Sequence, residues 1–486
     1  MDSKKDELVA IVGKGNVLDD QETLEAYSRD QSFVPPRKPR FVVKPKETAE
    51  VQGIVKWANQ TATPLVPVSS GPPHFHGDTV PSVGGAIIVE LTRMNNIRRI
   101  DRRNRIAIIE PGVTFADIQP ALMEYDMRLS MPLMPRKSKS VLTSLLEREP
   151  TMFPKYQWQL TDPLRFVEVV WGNGESLRTG DAGQYPVADP NEPMKQVTPW
   201  GPYQVDYYKL VSAAQGTMGI VVWAAVKCEI LPKLHKLIFV PSETLENLVD
   251  FTYRLLRFRY GDELLLMNAM QFASILCENA DEIDNLREKL PPWLCLIGIA
   301  GRDGLIKERV EFQERDIGDI AQQFGLRLLN AASDIQSDHV LKLLGAPSPE
   351  PYWPLRYKGD CQDIFFLTTL NKAPEYVKTM QSLSQFHGYS FNDVGIYIQP
   401  LQQGVSSHIA FYFPFNPEKL SEVKKTKNIL SEGSEILIRQ QAFFSRPYGM
   451  WADMVYNRNA QATMALKKVK KIFDPNNILN PGKLCF

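Results

Sequence analysis

Phe41-Val42-Val43 is an apolar triplet stopped by Pro45. Val51, Ile54, Val55 and Ala58 follow at spacings of three, one and three, which is the apolar stripe of a helix with Thr48 near its start. Pro64–Val68 reads as a second strand, so this stretch predicts a β-α-β unit. Ala86–Leu91 and Arg105–Glu110 predict two further strands, with a turn at Arg93-Met94-Asn95-Asn96 between them. Pro111-Gly112 breaks the second. Thr114 is placed to cap the next helix, with Asp117 as the capping-box acid. Phe166–Trp171 is a strand candidate, and Gly172-Asn173-Gly174 is a hairpin signal. The Pro-rich stretch from Pro186 to Pro202 reads as a long surface loop. Gln215-Gly216-Thr217-Met218-Gly219 then leads into a strand from Ile220 to Ala225.

The character of the chain changes near residue 236. Helical spacing dominates from Leu245 to Arg257 and from Lys307 to Phe324, mixed with apolar strands at Leu294–Ala300 and Gly395–Gln399. A helix from Ala460 to Phe473 precedes the tail Asp474–Phe486. For 486 residues, two or three folded units are expected. The pattern divides them as 1–235, 236–430 and 431–486, an α+β chain without internal repeats.

Composition narrows the function. Fifty-six basic side chains balance 56 acidic ones, so there is no general pull toward nucleic acid or an anionic membrane. The five cysteines are scattered and form no CxxC pair, which suits a reducing compartment and encodes neither a disulfide framework nor an iron–sulfur site. The first residues lack an apolar signal region, and no apolar run is long enough to span a bilayer. A cytoplasmic protein is expected. Six histidines in the whole chain argue against a His-rich metal site, and none is expected.

One loop suggests a cofactor. Residues 69–85 carry glycines at 71, 77, 84 and 85 and hydroxyls at Ser69, Ser70, Thr79 and Ser82, between two strands. Converging backbone N–H groups in such a loop can hold a pyrophosphate dianion where side chains leave room. No GxGxxG opens a helix and no P-loop is present, so the usual NAD and ATP readings lack support.

The order of segments is then informative: PVSSG, GDT, GGAIIVELTRMNNI, IIEPGVTFADI, VVWGNGESLRTG, QGTMGIV and FDPNNILNPGKL. It resembles the FAD-linked oxidases of the vanillyl-alcohol oxidase and 4-cresol dehydrogenase superfamily, which includes glycolate-oxidase and D-lactate-dehydrogenase flavoproteins. The resemblance implies a PCMH-type two-lobed FAD-binding domain built from residues 1–235 and the C-terminal segment. An α+β cap domain at 236–430 would carry the substrate pocket. It implies FAD contacts from Ser69, Ser70, Gly71 and Gly77 at the pyrophosphate, and from Glu110, Pro111, Gly112 and Val113 along the flavin. Gly216, Thr217, Gly219 and Ile220 would meet FAD through backbone, and Asn480, Pro481, Gly482 and Lys483 would close over the ring. Pro72 stands where relatives with a histidyl-flavin bond have His, so FAD is expected to be non-covalent. Tyr357 is the alternative attachment point, by analogy with cap-tyrosine linkage. Residues 135–156 depart from the glycine- and alanine-rich stretch of relatives, and their flavin contacts cannot be carried over.

The second half sets the substrate class. The paired histidine motifs of hydroxy-acid branches are incomplete here. His408 followed by Arg446 and Asp453 is more similar to the 4-cresol dehydrogenase branch. That implies Arg446, His408 and Tyr448 as catalytic residues, with Tyr207 or Tyr208 also near the substrate. A permanently cationic arginine can fork onto a phenolate or a carboxylate. The expected reaction is hydride removal from a phenolic or aromatic alcohol or alkyl substrate. Electrons would pass to oxygen or to a separate cytochrome, iron–sulfur protein or electron-transfer flavoprotein. The alternatives are a D-2-hydroxy-acid dehydrogenase subunit coupled to an iron–sulfur partner, and a flavin-binding or structural subunit without its own catalysis. A homo- or hetero-oligomer is expected.

Overall fold

The computed structural model describes residues 3–154, 163–179 and 207–486. The loop expected at 186–202 lies outside the described residues.

Three main sheets organise the chain. In the first, Val17–Leu18, Phe41–Val43, Ile87–Glu90 and Leu65–Val68 lie in that order. The expected β-α-β unit forms, but Ile87–Glu90 inserts between its two strands and pairs with both in parallel. The connecting helix, Thr48–Thr61, buries Val51, Ile54, Val55 and Ala58 as its spacing requires.

The second sheet is antiparallel and centres on the strand Gly219–Ile230. Along this strand Ile220 and Val222 enter one core cluster, whereas Val221, Ala224 and Val226 enter another. Both faces are therefore covered, so the sequence reads as nearly continuous apolar residues. Trp223 shares Val222's side because the pairing register shifts between Val221 and Trp223, and such a bulge flips the alternation. The edge strand Ile97–Asp101 went unrecognised in the sequence: it reads Ile-Arg-Arg-Ile-Asp, and every residue is only half-buried.

The third sheet has six antiparallel strands in the order Leu234–Ser242, Trp293–Gly301, Leu264–Asn268, Gly395–Leu401, Ser406–Phe415 and Asp360–Thr368. Helices including Glu246–Phe258, Ala373–Phe386 and Leu420–Arg439 bury their apolar stripes in the core that forms with it. The boundary expected at 431 falls inside the helix Leu420–Arg439. Leu437, Phe444, Tyr448 and Trp451 also belong to this third core, so the chain leaves it only after Trp451.

Two segments join the third sheet to the others. The tail returns to the first sheet, where the backbone of Leu65 bonds Ile478 and Asn480 on either side of Leu479. Residues 131–154 wedge between the layers. Met152 accepts a backbone bond from Leu264 and donates one to Met131, and Leu133, Met134 and Met152 pack into the third core.

Candidate active site

The wedge, the loop 67–79, the segment 211–221 and one face of the third sheet enclose a long cavity. Two of its walls are backbone-rich. Val68-Ser69-Ser70 forms one and Gln215-Gly216 with Gly219-Ile220 the other. Ser70 Oγ accepts from the amide of Ser140, tying the loop to the wedge. Gly216 has φ +68° and lies against Pro67, where an added Cβ would come within 3.1 Å.

The far wall is aromatic and polar. Cys361, Asp363 and Phe365 alternate along one strand and so face the same side; His408 and Tyr412 come from the adjacent strand. Tyr352, Tyr397, Arg446 and Tyr448 complete it. The Arg446 guanidinium sits over the ring of Phe365, 4.1 Å from its centroid. His408 is packed beside Phe365 and Tyr397. Burial, reinforced by the charge of Arg446, holds its imidazole well below the ordinary range, so it is neutral. Tyr448 stacks on His76, and burial holds its hydroxyl well above the ordinary tyrosine range.

The wedge adds charges that the sequence did not reveal as a site. Ser140 caps the short helix Val141–Leu146. The cap and helix bring Lys139 onto Glu147 at 3.1 Å and onto Glu149 at 2.5 Å. Glu149 also accepts from Ser144 Oγ at 2.5 Å and faces Arg446 at 3.9 Å. Burial would raise the Glu149 carboxyl, but the charges of Lys139 and Arg446 overturn that and hold it at about 2. Burial, with help from Glu147, pushes Asp78 up to about 6. Arg136 lies over Phe75 and reaches toward the carbonyl of Gly71 at 3.5 Å. The dense charge of Arg136-Lys137-Ser138-Lys139 and Glu147-Arg148-Glu149 was visible in the sequence. Lys139, Glu147 and Glu149 pair within the stretch, but Arg446, which Glu149 faces, lies hundreds of residues away, so the role of the stretch was not.

The residues expected to touch the cofactor divide into two groups. Ser69, Ser70, Gly216, Gly219 and Ile220 line the cavity, as do Arg446, His408 and Tyr448. The others do not. The Glu110 carboxylate is committed to Asn96 and Arg98, which fixes the turn before its strand. Pro111 accepts from Ser140 Oγ, and Val113 is fully buried in core. Gly112 is pressed against the carbonyls of Leu91, Thr92 and Met94. The Gly71 carbonyl faces the Arg136 guanidinium, and Gly77 gives its N–H to Asp30. The carbonyl of Thr217 accepts from Lys470, and Lys483 donates to the carbonyl of Gly77 at 2.6 Å. Asn480 donates to the carbonyls of Asp78 and Gln215. These residues hold the walls in place instead of facing the cavity. Tyr357 is also away from it, with its hydroxyl donating to Asp284 and its ring under Arg287 and Lys358. Tyr207 packs on Phe473, and Tyr208 is buried in the cluster that also holds Val221 and Ala224, outside the cavity lining.

These features suit FAD. Two backbone edges, the hydroxyls of Ser69 and Ser70 and the cation of Arg136 match a pyrophosphate, and the aromatic wall matches a flat ring system. Behind those backbone edges Asn480 Nδ2 bonds the carbonyls of the lining residues Asp78 and Gln215, and its buried Oδ1 has no protein partner among the described residues. Residues 39–180 match the FAD binding domain family, and 449–484 match the C-terminal domain of FAD linked oxidases. The chain is an FAD-linked oxidoreductase. It is 23% identical to a D-2-hydroxyglutarate dehydrogenase of Stutzerimonas stutzeri over 99% of this chain and 98% of that one. It is 21% identical to the 4-cresol dehydrogenase flavoprotein subunit of Pseudomonas putida over 98% and 93%. A solved 4-ethylphenol oxidase from Gulosibacter chungangensis superposes with a TM-score of 0.84 at 18% identity, covering 99% of this chain and 96% of that one. This FAD-linked oxidoreductase therefore has the PCMH-type fold expected from its segment order.

Proposed function

We propose that the enzyme oxidises a phenolic or related aromatic compound at the carbon attached to the ring, and that a separate acceptor protein or oxygen removes the electrons. The observation that carries this reading is the buried guanidinium of Arg446 on the face of Phe365, inside a wall that also holds Tyr352, Tyr397, Tyr412 and Tyr448. An aromatic ring buries its apolar faces there and presents its hydroxyl to Arg446. As that hydroxyl acidifies, the fixed cation stabilises the developing phenolate, because it acts in a water-poor site. His408 is neutral and lines the same wall, so a ring nitrogen can accept the released proton. Ser69, Ser70 and Arg136 would hold the pyrophosphate of FAD, and Gly216 with Ile220 would border it. FAD, when bound, supplies the hydride acceptor.

The dehydrogenase relatives that act on hydroxy acids support a second reading, in which Arg446 would take a carboxylate. A cytoplasmic setting belongs to the proposal and is supported by five cysteines that stand unpaired. No helix among the described residues is long and apolar enough to cross a membrane. The test is anaerobic mixing of the flavin-loaded enzyme with 4-alkylphenols and, separately, with D-2-hydroxy acids. Bleaching of the visible flavin band by the phenols alone is expected. Bleaching by the hydroxy acids alone overturns the aromatic reading.

A further inference from the structure

We propose that Glu149 sets the charge preference of the site: it serves as a built-in counter-ion to Arg446, so that the cavity takes a neutral phenol in preference to a carboxylate. The choice of a phenol rests on the reading above. The exclusion of a second anion rests on Glu149 itself.

The geometry has three parts. Glu149 is anchored on its far side by Lys139 at 2.5 Å and by Ser144 Oγ at 2.5 Å, so it cannot swing away. Its distance to Arg446 is 3.9 Å, close enough to balance the charge but too long for a hydrogen bond. The guanidinium thus keeps donors available to a substrate oxygen. Lys139 is likewise held by Glu147 as well as Glu149, so it offers no spare cation. Of the other acids that line the cavity, Asp363 already faces His76, so it offers no compensating site for a second anion.

A ligand carboxylate brought to Arg446 would meet the Glu149 carboxylate, held against Lys139, in a poorly screened space. Like charges there are costly. A phenol enters neutral and escapes that repulsion. Glu149 acts through Arg446 and is therefore a positioning residue.

The probes are 4-methylphenol and 4-methylbenzoate, titrated calorimetrically and anaerobically into enzyme whose bound flavin has first been reduced, so that neither probe is turned over. Wild type is expected to bind the phenol at least about tenfold more tightly. Glu149→Gln should shrink that ratio by about tenfold, chiefly by tightening the benzoate, whereas Glu149→Asp should keep the wild-type preference. An unchanged ratio in a Glu149→Gln protein with wild-type flavin content and melting temperature overturns the proposal. Should that variant not fold, wild type alone decides, because equal affinity for the two probes also overturns it. Turnover of D-2-hydroxy acids in place of phenols would sink the aromatic reading and, because those substrates are carboxylates, the preference with it; turnover of phenols with an unchanged ratio in Glu149→Gln would sink the role of Glu149 alone.

Discussion

The imidazole of His76 lies nearly flat on the ring of Tyr448, with centroids 4.7 Å apart and planes 16° from parallel, while its Nε2 faces Asp363 at 3.6 Å. Burial alone would favour neutral imidazole. The nearby carboxylate of Asp363, with Glu147 adding and Lys139 opposing, outweighs that burial and raises His76 above its ordinary 6.5. A group raised on folding lends stability that is fully present below its unfolded value and is lost as pH climbs through its folded value. Asp363→Asn should therefore drop the His76 titration below 6.5, since burial remains. NMR titration of the histidine ring signals checks this, and an unmoved His76 midpoint would refute the pairing.

His408 carries the opposite sign. Burial and Arg446 hold it well below 6.5, against a small upward pull from Glu149. Folding keeps it neutral, so its contribution to stability is lost as pH falls below its unfolded value. Arg446→Met should move the His408 midpoint upward, but not to 6.5, because desolvation persists. His408→Gln should flatten the decline of melting temperature between pH 7 and pH 5. An equally steep decline in that variant would show that another group governs acid lability.

Much of this fold was legible in local pattern. The stripe of the helix Thr48–Thr61, the capping box of Thr114 with Asp117 and the hairpin at 172–174 all depend on neighbours within a few residues. The site was legible only in part. His408, Arg446 and Tyr448 stood in a recognisable order, and they line one wall. Glu149 and Arg446 are nearly three hundred residues apart, and no local rule connects them. Glu110, Asn480 and Lys483 lie in the segments expected to carry the flavin, yet Glu110 is bonded to Asn96 and Arg98, and Asn480 and Lys483 brace backbone carbonyls. Sequence order marked the segment and could not tell a wall from its support.

Such a support joins the tail to the cavity. Lys470 Nζ donates to the carbonyl of Leu479 at 3.0 Å and to Asp474 at 2.5 Å, and also to the carbonyl of Thr217, next to the lining residue Gly216. All of this is buried. Lys470→Met leaves Asp474 as a buried carboxylate without its cation, and breaking such a pair costs about 3–5 kcal/mol. Lys470→Met with Asp474→Asn should recover part of that loss, because the stranded charge is gone. Urea unfolding of the two variants checks it, and a single variant as stable as wild type would contradict the assignment.

Gly112 tests whether the motif that precedes the helix Phe115–Met123 is a cofactor contact or a packing constraint. A Cβ there would stand 2.6 Å from the carbonyl oxygen of Thr92, 2.8 Å from that of Met94 and 2.9 Å from that of Leu91. Backbone oxygens held in a turn cannot retreat as a flexible side chain would. The Gly112 amide also donates to the Met94 carbonyl at 2.7 Å, so shifting the strand would break that bond. Gly112→Ala should therefore cost roughly 3 kcal/mol, the upper end of overpacking penalties. The loss should appear in flavin-free protein as fully as in loaded protein, because the clash lies in the chain itself. Thermal unfolding of both forms separates the two roles: a penalty seen only with FAD bound would make Gly112 a cofactor contact after all.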